Sequence, residues 1–223
     1  MGDCSSSAGG EPVIIRTLPV GPLQTNCYLV GCQETRLGAV IDPGGDAPDI
    51  LAAAEQDQLK IQYILLTHAH FDHIGAVAEV AQATSGLSRT PVALHPDDLP
   101  ILRAQGGATM FGIFIRPSPD PSLALFDGQV IEVGALRLQV LHTPGHTPGH
   151  VTFHAAQARA AFDGDVLFQM GIGRTDFPGS SFHQLMDSIR NKLFTLPDDT
   201  IIYPGHGPAT TVGDEKRGNP FLV

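Results

Sequence analysis

Metal-capable side chains crowd the end of one short apolar run. Residues 61–66 are largely apolar, which predicts a buried strand, and His68, His70, Asp72 and His73 follow at once. Apolar residues then recur at helical spacing to about residue 84. The cluster is therefore predicted on a strand-to-helix turn, at the end of a strand where α/β sheets collect ligand sites. We expect Asp72 to cap that helix and His73 to begin it.

The chemistry of these side chains favours a metal over a solvated histidine-rich loop. Three neighbouring imidazoles repel one another when protonated and waste polar surface when buried without partners. Neutral imidazole is a preferred ligand of zinc and iron. The pattern His-x-His-x-Asp-His after an apolar strand therefore predicts a metal site.

A second histidine cluster follows the predicted strand 136–141. His142, His146 and His150 are four residues apart, a spacing that would align them on a helix. The Pro-Gly pairs at 144–145 and 148–149 exclude that helix, so the segment is predicted as a loop. The spacing does not decide which of the three histidines binds metal.

Two further strand ends carry potential ligands. Asp163 and Asp165 follow the predicted strand 160–162, and His206 follows the predicted strand 200–203. The residues alone do not favour Asp165 over Asp163. Four apolar strands that each end in potential ligands predict that these ends meet at one site.

The motifs THAHFDH, TPGHTPGH, FDGDVLF, GIGRTDF and YPGHG together resemble the metallo-β-lactamase fold hydrolases, from about Val13 to the C-terminus. Within that superfamily the chain is similar to the glyoxalase II-like branch, in its short bacterial single-domain form. The resemblance implies an α/β (α+β) fold, a four-layer αββα sandwich. It also implies two metal sites: His68, His70 and His146 form the first, and Asp72, His73 and His206 form the second. Asp165 would be the carboxylate that bridges both. His142 and His150 then become candidates either for residues that support the ligands from behind or for structural residues, and the structural role is favoured.

The resemblance implies hydrolysis of hydroxyacylglutathione thioesters, such as S-D-lactoylglutathione to D-lactate and glutathione. Two divalent ions, zinc by default and iron or manganese as compatible alternatives, would lower the pKa of a shared water and make its hydroxide the nucleophile. Asp72 would accept a proton from that water as well as bind metal, which makes it the predicted catalytic residue. The longer glyoxalase II enzymes carry a C-terminal extension with basic glutathione-binding residues, whereas here Lys216 and Arg217 are the only basic residues after His206.

The same resemblance supports a second hypothesis, a persulfide dioxygenase with one iron held by His68, His146 and Asp165. Arg174 would there hold a substrate carboxylate, or else pair with Asp176 in its own loop. The intact second metal site favours the hydrolase. An inactive metal-binding module is disfavoured because all seven ligands are present.

Composition sets the broad class of protein. With 223 residues, 42% hydrophobic and 16% charged, the chain predicts one globular domain over 13–223 after a disordered tail at 1–12. Its net charge of −10 disfavours nucleic acid, and no apolar run could span a membrane. Three cysteines give no disulfide framework, and no export signal precedes the domain, so we expect a cytoplasmic enzyme with a small-molecule thioester substrate, not a periplasmic β-lactamase.

Other segments complete the predicted order of elements. Two expectations concern side chains: Asp42 either points at a site or bonds its own turn, and His95 is structural. A third concerns the segment 101–121, which is either a partly buried connection or an apolar wall over the site. The remaining predicted elements are strands 13–20, 26–30 and 37–41, a helix 47–59, a hairpin 130–133/136–141, a strand 151–154, an amphipathic helix 181–194, and a last strand 200–203.

Overall fold

Two six-stranded sheets form the centre of the molecule, in a computed structural model that describes residues 13–86 and 89–222. The predicted tail of residues 1–12 lies outside the described residues. The first sheet holds β1 (Val13–Val20), β2 (Thr25–Cys32), β3 (Leu37–Ile41), β4 (Lys60–Leu65), β5 (Val92–Leu94) and β6 (Leu123–Ala124) in that order. The second, in the order β14-β13-β10-β9-β8-β7, holds β7 (Val130–Val133), β8 (Leu136–His142), β9 (Val151–Ala155), β10 (Ala160–Gly164), β13 (Ile201–Pro204) and β14 (Thr210–Thr211). A short hairpin, β11 (Leu167–Phe168) and β12 (Gly171–Ile172), stands apart.

Parallel strand pairs bring the ligand-bearing loops to one edge. Strands β3, β4, β5 and β6 run parallel in the first sheet, and β10 and β13 run parallel in the second. Backbone bonds join the loops across the sheets, since Val151 N donates to Thr67 O at 2.8 Å and Asn26 N donates to Gly205 O at 2.7 Å. The carboxyl ends of β4, β8, β10 and β13 therefore lie together.

The residues of β2 show why both faces of the first sheet are apolar. Cys27 and Leu29 point to a core shared with helices, whereas Tyr28 and Val30 point to the core between the two sheets. A third core lies on the outer face of the second sheet. Three cores between four layers confirm the predicted αββα sandwich.

Helices cover both outer faces. The helices are α1 (Ala47–Gln56), α2 (Phe71–Ile74), α3 (Val77–Thr84), α4 (Leu99–Arg103), α5 (Phe182–Asn191) and α6 (Val212–Gly218). Helix α5 buries Leu185 and Ile189, and Ser181 caps it by accepting a hydrogen bond from Gln184 N. This is the amphipathic helix that the apolar spacing predicted.

Several predicted boundaries were wrong. The helix after the first motif is two helices, because Gly75 and Ala76 interrupt it. Asp72 does not cap α2: His70 occupies the N-cap position, the helix begins at Phe71, and the Asp72 side chain accepts a hydrogen bond from Thr25 instead. The strand predicted over 200–203 is β13 and is not the last strand, because β14 follows it, and α6 comes after β14. Within 101–121 the chain forms α4 and a 3-10 helix, Gln105–Phe111.

Candidate metal centre

Three histidines from two loops meet at the carboxyl ends of β4 and β8. His70 Nδ1 lies 2.9 Å from His146 Nε2. The centroid of the His68 ring lies 4.8 Å from that of His70 and 4.9 Å from that of His146. Tetrahedral zinc, bound at about 2.0–2.1 Å, sets its ligand atoms roughly 3.3 Å apart, so one ion suits this first triplet.

A second triplet lies beside the first, formed by Asp72, His73 and His206. Asp72 Oδ2 lies 3.6 Å from His73 Nε2 and 3.1 Å from His206 Nε2. Helix α2 carries the first two side chains, and the loop after β13 carries the third. These are again distances that one cation could span.

The Asp165 carboxylate stands between the two triplets. Its Oδ2 lies 3.5 Å from His146 Nε2 and 3.8 Å from His206 Nε2, and its Oδ1 lies 3.5 Å from His73 Nε2. All seven side chains that the resemblance selected therefore surround one space. A carboxylate this close to histidines of both triplets could serve as a ligand to cations held by either one.

Buried polar atoms test whether a metal fits here. Seven buried side-chain polar atoms among the described residues lack a hydrogen-bond partner, and three of them belong to the predicted ligands: His68 Nε2, His73 Nε2 and Asp165 Oδ1. Buried polar atoms normally find a partner, so three orphans in one space require an explanation. His68 Nε2 and Asp165 Oδ1 can present a lone pair to a cation, and His73 Nε2 can do so once its proton is displaced, so this set of nitrogen and oxygen donors suits a divalent transition metal.

Protonation in the site follows from burial and proximity. Burial lowers the pKa of His70 to about 3 and that of His68 well below its usual range, so both imidazoles are neutral and available as ligands. Burial opposes charge on His73, but Asp72, Asp165 and Asp42 raise its pKa well above the usual value. Burial alone would raise the pKa of Asp72, yet His73 and His206 bring it down to about 2.

Asp42 orients one of these histidines, and the side chain is 2% exposed. Its Oδ2 lies 3.0 Å from His73 Nδ1 and accepts a hydrogen bond from the Thr67 hydroxyl at 2.6 Å. Its Oδ1 accepts from the Thr67 backbone N–H at 2.8 Å. A proton on His73 Nδ1 leaves the Nε2 lone pair free to face the site. Of the two roles considered for Asp42, the structure therefore supports the one directed at the site.

The histidines and the aspartate that compete with the predicted ligands have other partners. His142 Nε2 bonds to Pro148 O at 3.0 Å, and its ring stacks on His95 with centroids 4.3 Å apart. His150 Nε2 accepts a hydrogen bond from Asp165 N at 3.1 Å, which fixes the backbone of that residue. Asp163 Oδ2 accepts from Leu167 N at 2.9 Å.

Two close backbone approaches require glycine. A Cβ on Gly205 would lie 2.2 Å from Asp165 Oδ1, inside the site itself. A Cβ on Gly44 would lie 1.6 Å from the Asp72 carbonyl oxygen, so the turn after β3 seats helix α2. Gly205 of YPGHG and Gly44 of DPGG thus contribute shape, beside the side chains that the same motifs supply to the site.

Arg174 and Phe177 form the rim beside the first triplet. The Phe177 ring lies 5.1 Å from the His70 ring, and the Arg174 guanidinium lies 4.5 Å above Phe177. Arg174 also donates two hydrogen bonds to Asp176, at 2.9 and 2.7 Å. Its backbone oxygen lies 2.8 Å from His146 Nδ1, which ties this rim to a predicted ligand.

Comparison with known families decides the identity of this fold. Residues 20–206 match the Metallo-beta-lactamase superfamily. The chain belongs to that superfamily. Together with the two triplets, this membership implies a metal-dependent hydrolase that uses divalent ions.

Relatives of this superfamily member are similar over nearly their whole length. It is 41% identical to hydroxyacylglutathione hydrolase GloC of Haemophilus influenzae, over 93% of this chain and 97% of that protein. Among solved structures, BLEG-1 B3 metallo-beta-lactamase is similar with a TM-score of 0.87 and 40% identity, over 94% of this chain and 100% of the other. TTHA1623 in a di-iron-bound form is similar with a TM-score of 0.83 and 42% identity, over 93% and 100%. In the part of the chain that the structure describes, no helix has the length and apolar character needed to cross a bilayer.

Proposed function

We propose that this protein is a binuclear metallohydrolase that cleaves hydroxyacylglutathione-type thioesters. With S-D-lactoylglutathione, water would add to the carbonyl carbon, the carbon–sulfur bond would break, and D-lactate and glutathione would leave. The observation that carries the proposal is the position of Asp165 between the triplets: its Oδ2 lies 3.5 Å from His146 Nε2 and 3.8 Å from His206 Nε2, and its Oδ1 lies 3.5 Å from His73 Nε2.

The metal ions and the side chains around them have separate roles in this proposal. When bound, a pair of divalent cations would lower the pKa of a bound water toward about 7 and would polarise the substrate carbonyl. Asp72 is held by the Thr25 hydroxyl, which donates to its Oδ2 at 2.9 Å, and its carboxylate is placed to accept a proton from that water. Asp42 keeps the His73 proton on Nδ1, away from the reacting atoms.

The thioester assignment is supported by similarity and by the rim. The relative GloC carries the name hydroxyacylglutathione hydrolase. Glutathione has two carboxylates, and Arg174 lies beside the first triplet with its guanidinium 65% exposed. An exposed ion pair contributes little to stability, so a substrate carboxylate can displace Asp176 from Arg174. Lys216 and Arg217, the basic residues of α6, are engaged by Asp198 and Asp214.

Zinc is the metal we propose, because mixed imidazole and carboxylate sites suit it. Iron and manganese are compatible with the same donors, and a similar structure holds two irons. Cys27 and Cys32 are buried free thiols, which supports the predicted cytoplasmic location.

Elemental analysis of protein purified without added metal is the first test. We expect about two ions per chain, mostly zinc, and release of one thiol per S-D-lactoylglutathione consumed. Asp165→Asn should lose metal and activity together, because it removes the charge between the triplets. His142→Ala is the matched control, since its Nε2 bonds only to a backbone oxygen in its own loop, and it should retain both ions.

Other results would point elsewhere. One iron per chain, with oxygen uptake on glutathione persulfide, would replace the hydrolase by a dioxygenase. Hydrolysis of a chromogenic β-lactam without thioester cleavage would favour an activity like that of BLEG-1. A fully metallated and fully active Asp165→Asn variant would overturn the binuclear assignment.

A further inference from the structure

One buried carboxylate outside the predicted ligand set joins the two loops that supply the first triplet. Asp98 Oδ2 accepts hydrogen bonds from Ala69 N at 3.0 Å and from the Thr147 hydroxyl at 2.7 Å. Its Oδ1 accepts from Gly149 N at 2.6 Å. Ala69 stands between His68 and His70, and Thr147 directly follows His146.

The position of Asp98 would usually indicate a simpler role. It is the last residue of a 3-10 helix, Pro96–Asp98, and occupies the N-cap position of α4, where aspartate commonly accepts a hydrogen bond from the helix backbone. Here the side chain makes no capping hydrogen bond. Its carboxylate instead turns toward the two loops and is completely buried, with 0% exposure.

The fit around Asp98 is tight. A Cβ on Gly149 would lie 2.6 Å from Asp98 N and 2.8 Å from its Oδ1. All three donors reach this one carboxylate, and an ionised carboxylate needs no proton of its own to accept them. A backbone hydrogen bond from Val151 N to Thr67 O also joins loops from the two sheets. The Asp98 carboxylate adds a side-chain link between them.

We propose that Asp98 is a positioning residue for the metal centre, setting the distance between the His68–His70 loop and the His146 loop. This role rests on the proposed metal centre but not on the choice of substrate. Ligands whose spacing is fixed before the metal arrives lose less conformational freedom on binding. Loosening the two loops should therefore lower the affinity for metal. Outer groups of this kind typically alter metal affinity by about 10–100-fold.

Two substitutions at Thr147 isolate the link without removing the buried charge. Thr147→Val keeps the volume of the side chain but removes its donor, whereas Thr147→Ser restores the hydroxyl. We expect Thr147→Val to weaken Co²⁺ binding by about 10-fold and shift the visible absorption bands of the bound ion. Thr147→Ser should stay within about 2-fold of wild type, and Asp98→Asn should show a loss of about 10–100-fold.

Ser188→Ala is the matched control for a stability effect. The Ser188 hydroxyl is also buried and donates to Pro144 O in the same loop at 2.7 Å, but it does not reach the His68 loop. It should lower the thermal unfolding temperature and leave the Co²⁺ spectrum and affinity unchanged.

The outcomes are distinct. If Asp98→Asn and Thr147→Val lower only the unfolding temperature, with Co²⁺ affinity within about 2-fold and the same absorption bands, Asp98 is a structural anchor and the proposal is wrong. If Asp98→Asn does not fold, the Thr147 pair decides. A wild-type chain that bound no Co²⁺ would overturn the metal centre and this role with it, whereas a metallated chain inactive on thioesters would overturn only the substrate.

Discussion

Replacing Asp42 by asparagine exchanges one carboxylate oxygen for an NH₂ group, and the resulting loss of metal affinity or stability can be calculated. The carboxylate accepts three hydrogen bonds, two from Thr67 and one from His73 Nδ1. Asparagine offers one acceptor oxygen and one donor NH₂ in the same volume. The backbone is no obstacle, because residue 42 has a positive φ of 50°, which asparagine tolerates well.

One orientation of the amide acts on the metal. With its NH₂ toward His73, that ring must accept at Nδ1, and its proton moves to Nε2, the atom that faces the site. A hydrogen bond to a charged group is worth about 1.5–3 kcal/mol, which corresponds to about 10–150-fold in the dissociation constant of the second ion. With the amide reversed, its NH₂ meets the Thr67 N–H, and the buried clash costs about 1–3 kcal/mol of stability instead.

Competition with a chromophoric chelator measures the affinity for each ion, and urea unfolding of metal-free protein measures stability. Asp46→Asn is the matched control, since Asp46 is exposed in the same turn and also has a positive φ, of 49°. We expect the control to match wild type in metal affinity. Wild-type values for Asp42→Asn in both assays would refute the argument that Asp42 orients His73.

Three further changes test the scaffold. Gly44→Ala should expel the second ion and cost about 1–3 kcal/mol of unfolding free energy, because its Cβ would overlap the Asp72 carbonyl; retained stoichiometry in elemental analysis would contradict this. Ser181→Ala should cost about 1 kcal/mol in urea unfolding with unchanged metal content, since it removes a helix cap. Hydrogen bonds from Arg16 lower the pKa of Asp57, so the pair stabilises the fold above the unfolded pKa of about 3.9 and loses that effect as pH falls through the lower folded value. Asp57→Asn should therefore lower the urea midpoint at pH 6, and its difference from wild type should shrink as the pH falls below about 3.9; a constant difference would show that the pair does not titrate as described.

The strand ends were predictable because their signal is local. Each apolar run is followed at once by histidine or aspartate, and the parallel pairing of β3 with β4 and of β10 with β13 brings those ends together. The choice of His146 over His142 was not local. It depends on the path of the loop at Gly145, which has a φ of 137°. A Cβ on Gly145 would lie 2.3 Å from Leu185 N, so only glycine allows this path.

Long-range partners explain what the sequence did not reveal. Asp42 and Asp98 look like turn and cap residues, and their roles arise from contacts with Thr67 and Thr147, far along the chain. Helix α6 was missed because its residues, Val212–Gly218, lack apolar periodicity. Its buried Glu215 is instead held by the Thr210 hydroxyl at 2.6 Å, a tertiary contact that no local pattern indicates.

The order in which the side chains of the two triplets occur along the chain has a consequence for synthesis in the cell. His68 lies in the first half of the sequence, whereas Asp165 and His206 emerge late, on strands of the other sheet. A growing chain can therefore expose only a weak, partial chelate until both sheets have formed. Tight binding at the proposed metal centre would therefore require both sheets to be folded.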